Sequence, residues 1–367
     1  MKPGQSDRKR NYSIDLLRII SMIMIVVLHM NSHGGVLQNS TGYQSYIVQI
    51  VEAFCLVSVN VFVLISGYFL VDQHFRLSRL IFLLFEVFFY SWIIYGGLCL
   101  SGMVAFKPTE FIAVLFPVSF REYWFITSYV GMYLLSPVLR WMVNRFKKWQ
   151  HFMTVAVLLV ITSFWHDFIP MSFPFQVNDG YSLIWFVVVF LIAAYIKRYG
   201  LKIKRPLLVY AVSCGLMFLS WIIMDFIASH VQLIQELSLR GNFTSYCSIL
   251  NILGSVSLFS YFINREQNSG KRVIAFLTPL TLGVYLIHDN IRLRDFLWSL
   301  LPHDLYGKPL FLLIFIVTPI VVFVCCTAID LGRKTVFSLF DHRKCWSALD
   351  SRFTKVCNRL FIKTNQE

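Results

Sequence analysis

The sequence predicts an all-α polytopic membrane protein of about ten transmembrane helices, with both termini in the cytoplasm. Three observations carry that expectation. Of 367 residues, 57% are apolar and 14% charged, against about 45–50% and about 25% in soluble domains. Ten apolar stretches have lengths near the roughly 20 helical residues that cross a bilayer core. The basic residues between them alternate. Of 33 Lys and Arg, 26 fall on one side and six on the other, and Arg18 lies inside the first stretch. Lys and Arg collect in cytoplasmic loops, so most of the net charge of +14 is topology. That removes the nucleic-acid reading such an excess would otherwise invite. Soluble, disordered and disulfide-scaffold classes fit this composition poorly.

The expected spans are Ser13–Asn31, Tyr46–Val71, Leu80–Met103, Phe125–Val143, Phe152–Ile169, Ser182–Ile196, Leu207–Ile227, Phe243–Ile263, Val273–Ile291 and Pro309–Ile329. The fifth and sixth are short, and the eighth contains Asn251. Pro137, Pro279 and Pro319 fall in or at the ends of spans, where neighbouring helices re-satisfy the freed backbone. The first stretch is too long for a signal-peptide core, carries Asp15 and Arg18, and precedes no A-x-A site. It stays as a helix. Three parts follow: a cytoplasmic segment 1–12, a transmembrane domain 13–331 and a basic tail 332–367. In the tail, Trp346, Leu349, Phe353, Val356 and Leu360 recur at helical steps among Arg352, Lys355, Arg359 and Lys363. This predicts an amphipathic helix on the inner leaflet, with a plain solvated helix as the other reading. The eight cysteines form no C-x-x-C and no zinc-spaced cluster; they read as small packing residues, and no metal is expected.

Ionisable groups inside a bilayer are expensive, so each is a candidate functional group. Arg18 and His29 are eleven residues apart, about 1100° of helical rotation, so they share one face about 16 Å apart along the axis. Asp15 precedes Arg18 by three residues on that face and can pair with it; a helix-end ion pair is the structural alternative. An imidazole can accept or donate a proton near neutral pH. For His29 a hydrogen bond to a neighbouring helix is the alternative. His33 lies one turn further. In the next loop Arg76 and Arg79 stand one turn apart, a spacing that suits phosphate oxygens; ordinary positive-inside charge explains them equally. Glu122 precedes Tyr123 and Trp124 at an outer helix end, where an acceptor would bind or an interfacial aromatic belt would sit. His288 and Asp289 lie beside Arg292 and Arg294 at another outer end, an acceptor wall or a structural cluster. His74, His151, His166, His230, His303 and His342 receive no role.

The run Asp15-Leu-Leu-Arg18 followed after ten residues by His29 resembles the opening of acyltransferase family 3. These are membrane O-acyltransferases whose bacterial members acetylate surface glycans. Further segments resemble the family in the same order: Val61-Phe-Val-Leu-Ile-Ser-Gly-Tyr-Phe-Leu70, Arg76-Leu-Ser-Arg79, Tyr123-Trp124-Phe125 with Ser136-Pro137, and Leu282-Gly-Val-Tyr-Leu-Ile-His288. The resemblance covers about 11–329. It implies that Arg18 and His29 are the essential pair, with His29 as catalytic base or transient acyl carrier beside Asp15. It implies that Arg18, Arg76 and Arg79 hold the phosphates of cytoplasmic acyl-CoA, acetyl-CoA above all, as co-substrate. Glu122, Tyr123, Trp124 and His288 are acceptor-site candidates. Ser66 and Gly67 read as close-packing residues, because no G-x-S-x-G elbow surrounds them.

Many relatives carry an added extracytoplasmic esterase-like domain. Here 38 residues follow the last span, so transfer is expected to finish within the membrane domain. The partners implied are an acyl-CoA donor, a glycan or lipid-linked oligosaccharide acceptor and the lipid bilayer, with no nucleic acid. The location implied is the bacterial plasma membrane. A transporter or flippase for a glycan or small polar solute is the alternative from another class. Paired halves with matching broken helices, its usual mark, are not evident.

Overall fold

A computed structural model describes residues 10–169, 177–230, 243–302 and 306–338. The expected tail helix around Trp346–Leu360 lies outside them. Among the described residues every regular element is helical. The principal helices are α1 (Tyr12–Ser32), α2 (Tyr43–Cys55), α3 (Ser58–Leu70), α4 (Leu77–Leu100), α5 (Trp124–Arg145), α6 (Lys148–Leu159), α7 (Leu183–Tyr199), α8 (Pro206–His230), α9 (Ile249–Ile263), α10 (Lys271–Leu277), α11 (Thr281–His288) and α12 (Leu310–Ser338). Six stretches among the described residues are long and apolar enough to cross a membrane: Tyr12–Ser32, Tyr43–Leu70, Leu77–Leu100, Lys148–Phe168, Pro206–Ile227 and Leu310–Ser338. The other four expected spans are helical too, but shorter, more polar or interrupted.

Two expected spans are broken, one beside polar donors from α9 and one at a proline. The second stops at Cys55 and restarts at Ser58. Leu56 O at the break accepts from Asn251 Nδ2 of α9 at 3.3 Å, while Val57 O accepts from Val61 N at 3.0 Å and lies 3.2 Å from Ser255 Oγ of α9. Asn251, an awkward residue for a lipid-facing helix, is therefore turned inward as a backbone donor. The ninth bends through the 3₁₀ turn Thr278–Leu280, where Pro279 supplies no N–H. The last runs past Ile329 to Ser338.

Polar side chains tie the apolar helices together. Asn60 on α3 accepts from Trp185 Nε1 of α7 at 2.8 Å and donates to Tyr246 O at 2.7 Å and Asn251 Oδ1 at 3.0 Å. An amide fully used in this way holds three segments at once. Close approach needs small residues as well. A Cβ on Gly67 of α3 would meet Phe190 Cα and Ala193 Cβ of α7 at 3.0 Å, so the glycine lets α3 and α7 pack almost backbone to backbone.

α7 is buried along most of its length, whereas only 17% of the α8 span is buried. α8 shows Leu208, Val212, Leu219, Ile223 and Phe226 to the outside, a surface fit for lipid tails. Two apolar clusters fill the interior. One gathers α3, α5, α7 and α9; the other gathers α11, α12 and the C-terminal part of α1. α1 belongs to both, with Ile14 and Leu17 in the first and Ile19 to Met30 in the second. The junction between the clusters is where the interior opens.

Candidate functional site

α1 starts because Asn11 caps it: Asn11 Oδ1 accepts from the backbone N–H of Ser13 and Ile14, both at 3.1 Å. Apolar residues then continue to Ser32, and the polar groups of one face meet a cavity of about 340 Å³. Arg18, Met22, Ile25 and His29 line it on successive turns of α1, so it follows the helix for about 16 Å. Arg79 lines it too, with Tyr129 near both Arg18 and Arg79, while Trp124, Tyr246 and Tyr285 line the part near His29, the Tyr285 ring 6.3 Å from it. Most of the wall between is Leu, Val, Ile and Phe.

At the N-terminal end of α1, Asp15 is buried and bridges two arginines. Arg10 Nε lies 2.5 Å from Asp15 Oδ2, and Arg18 Nη1 lies 3.6 Å from Asp15 Oδ1. The closer partner is Arg10, which leaves Arg18 freer to face the cavity. Arg18 also stands 5.7 Å over the Phe69 ring. Arg79 is exposed and bonds Gln73 Oε1. Arg76 is exposed and does not line the cavity; its own N–H and C=O meet Tyr133 OH at 3.2 and 2.9 Å. The two arginines thus separate: Arg79 joins Arg18, and Arg76 anchors the loop to α5.

At the other end a chain of imidazoles fixes the state of His29. His288 Nδ1 lies 2.6 Å from Val284 O, a bond that only an N–H can make. Neutral His288 therefore has a bare Nε2, which lies 2.9 Å from His29 Nδ1. His29 Nδ1 must donate there, so His29 carries its lone pair on Nε2. Asp289 Oδ1 lies 3.5 Å from His29 Nδ1, 3.6 Å from His33 Nε2 and 4.0 Å from Arg294 Nη1. An imidazolium formed at His29 would find a carboxylate beside it. His29, His33 and Asp289 also bring one ligand atom each within 4.8 Å of one another. That donor set matches a metal site in kind, but the His29 Nδ1 proton and the Arg294 cation both compete with an ion there.

The neighbours Glu122, Tyr123 and Trp124 diverge at the start of α5. Glu122 Oε1 is held by Arg292 Nη1 at 2.7 Å. Tyr123 is buried; its hydroxyl donates to Leu286 O at 2.9 Å and accepts from Asn290 Nδ2 at 2.7 Å. Neither lines the cavity; both brace the end of α11 that carries His288. Trp124 does line it, and packs with Tyr181 and Tyr246 at ring distances of 4.3 and 5.9 Å. Ser66 lines the cavity, its Oγ donating to Phe62 O at 2.9 Å and meeting the Tyr129 hydroxyl.

Several buried ionisable groups escaped the sequence reading, although the rule that flagged Arg18 and His29 applies to them. Glu52 on α2 accepts from Asn31 Nδ2 at 2.7 Å. Asp330, fully buried on α12, accepts from Tyr90 OH at 2.6 Å and pairs with Arg333 Nε at 2.6 Å, and Arg333 Nη2 reaches Glu86 Oε1 at 3.0 Å. A Cβ on Gly283 of α11 would overlap the Asp330 carboxyl. That glycine, part of the Leu282–His288 run, lets α11 and its histidine lie against α12.

A family model described as an acyltransferase domain matches residues 11–330. Neither the curated proteins nor the solved structures contain a match to this chain.

Proposed function

The chain belongs to acyltransferase family 3, and on that premise we propose that it moves an acyl group, acetyl in particular, from cytoplasmic acyl-CoA to a hydroxyl of a cell-surface or lipid-linked glycan. The observation that carries the reading is one continuous cavity that meets Arg18 and Arg79 and also His29, whose tautomer the His288 contact sets. In this reading about ten helices span a bacterial plasma membrane with both termini inside, as the basic-residue partition requires. The CoA pyrophosphate rests on Arg18 and Arg79, and the thioester arm follows the apolar wall toward His29.

The acceptor enters beside Trp124, Tyr181 and Tyr246, whose flat faces and hydroxyl edges suit a sugar ring. His29 Nε2 takes the proton of the acceptor hydroxyl as its oxygen attacks the thioester carbonyl. The C–S bond breaks, the ester forms, and the departing CoA thiolate recovers the proton from His29. Asp289 stabilises the imidazolium in between. Membership in a transferase family favours this reading over transport.

The test is acceptor-dependent CoA release by membranes containing the protein, with mass spectrometry of the glycan for an added acetyl unit. His29→Ala should abolish both while the protein stays folded and inserted. Retained acetylation in that variant removes His29 from the chemistry; glycan movement without CoA release would return the transport reading.

A further inference from the structure

A second cavity, of about 320 Å³, opens at the Arg18 end of α1, between residues 10–12 and the segment joining α9 to α10. Its wall is polar except for Ile263, and it holds three cations, Arg10, Arg265 and Lys271, against one carboxylate, Glu266. Tyr12 stands among them, with Arg10 Cζ 5.5 Å and Lys271 Nζ 5.7 Å from its ring centre. Among the described residues, Arg265 and Lys271 have no carboxylate within ion-pair distance. Asp15 sits between the two cavities, one oxygen toward Arg10 and the other toward Arg18.

We infer that this cavity binds the 3′-phosphorylated nucleotide end of acyl-CoA, an inference that rests on the acyl-CoA reading above. The order of groups along α1 matches the order along the ligand. From His29 to Arg18 is about 16 Å of mostly apolar wall, the place of the thioester arm. Arg18 and Arg79 meet the pyrophosphate. From Arg18 back to Tyr12 is about 9 Å, roughly the reach of the ribose. There Arg265 and Lys271 face the 3′-phosphate dianion, a point charge that guanidinium and ammonium groups both bind. Tyr12 offers a ring face to the adenine. Anionic lipid headgroups share the phosphate chemistry, but the wall has no apolar groove to take an acyl chain.

Dephospho-CoA lacks only the 3′-phosphate, so it isolates this contact. The full-length protein is titrated by calorimetry, in phosphatidylcholine nanodiscs, with acetyl-CoA and with acetyl-dephospho-CoA. The wild type should bind acetyl-CoA about tenfold tighter. Arg265→Ala/Lys271→Ala, two exposed substitutions away from the core, should lose that difference while binding acetyl-dephospho-CoA as before. Equal binding of both ligands by the wild type, or a preference that survives in the double variant, overturns the site and leaves the donor reading standing. Binding of neither ligand overturns the donor reading itself. Phosphatidylglycerol added to the nanodiscs should leave the preference intact; its disappearance would make the cavity a lipid site instead.

Discussion

His29 and His288 come from helices at opposite ends of the chain, and their Nδ1 and Nε2 atoms lie 2.9 Å apart. Because His288 Nδ1 is committed to Val284 O, proton order runs one way through the pair, and the outward nitrogen of His29 is left basic. His288 does not line the cavity, so in the proposed mechanism it is a positioning residue. His288→Leu removes the acceptor and frees the His29 ring to take either tautomer. Turnover should fall about 10²–10³-fold, within the range of general-base losses, with the KM for acyl-CoA nearly unchanged. A variant with full turnover would separate His288 from the chemistry.

Gly283 and Asp330 make a second tight relationship. Gly283→Ala would force α11 off α12, an overpacking cost of about 1–3 kcal/mol. Arg333→Ala would leave the Asp330 carboxylate buried without its cation, a cost of about 3–5 kcal/mol. Thermal unfolding in detergent should rank the two in that order, Arg333→Ala the lower. A Tm for Arg333→Ala equal to wild type would mean that the Asp330–Arg333–Glu86 network is not stabilising.

The His29–His33–Asp289 grouping makes a chelator experiment informative. With His29 Nδ1 protonated toward His288 and Arg294 beside Asp289, the site should retain no divalent metal. Elemental analysis of purified protein should show less than one equivalent of zinc, iron or manganese, and EDTA should leave CoA release unchanged. A stoichiometric metal removed together with activity would replace the proton-transfer role of His29 with ligation.

Asp179 supplies a pH dependence outside the spanning helices. Its Oδ1 lies 3.0 Å from His166 Nε2, and that hydrogen bond holds the carboxyl below its ordinary value of about 3.9. A depressed folded-state value gives a contribution present above the unfolded value and lost as pH falls through the folded one. Asp179→Asn should therefore lower the Tm slightly at pH 5–7 and match wild type once the pH is well below 3.9. Asp179 O accepts from Tyr246 N at 3.0 Å, a main-chain bond that the variant keeps, so the acceptor KM should stay close to the wild-type value. A Tm difference that persists in strong acid would show that the carboxylate charge is not its source.

The helical class, the family and the polar stripe of α1 are written in the sequence because they depend on short-range regularities. Apolar runs, alternate basic loops and the eleven-residue step from Arg18 to His29 all survive translation into local geometry. Such regularities say nothing about which neighbours meet. Arg76 and Arg79 look equivalent in sequence, yet the Tyr133 hydroxyl takes the Arg76 backbone and only Arg79 reaches the cavity. Glu122, Tyr123 and Trp124 are consecutive, yet only the tryptophan faces the interior space.

By itself, then, the sequence determined that this is a helical membrane protein of an acyltransferase family with a polar stripe along its first helix. Hydrophobicity and periodicity fix the class and the shared face of Arg18 and His29; the family rests on the ordered short motifs from Asp15 to His288 and on the family match over residues 11–330. The tertiary structure alone decided that His29 leans on His288, that Arg10 and not only Arg18 shares Asp15, and that Asp330 and Gly283 occupy one narrow gap. Each of these joins residues whose spacing no local period relates. They are set by how two apolar clusters close around α1, and buried polar groups must then find partners wherever that packing puts them.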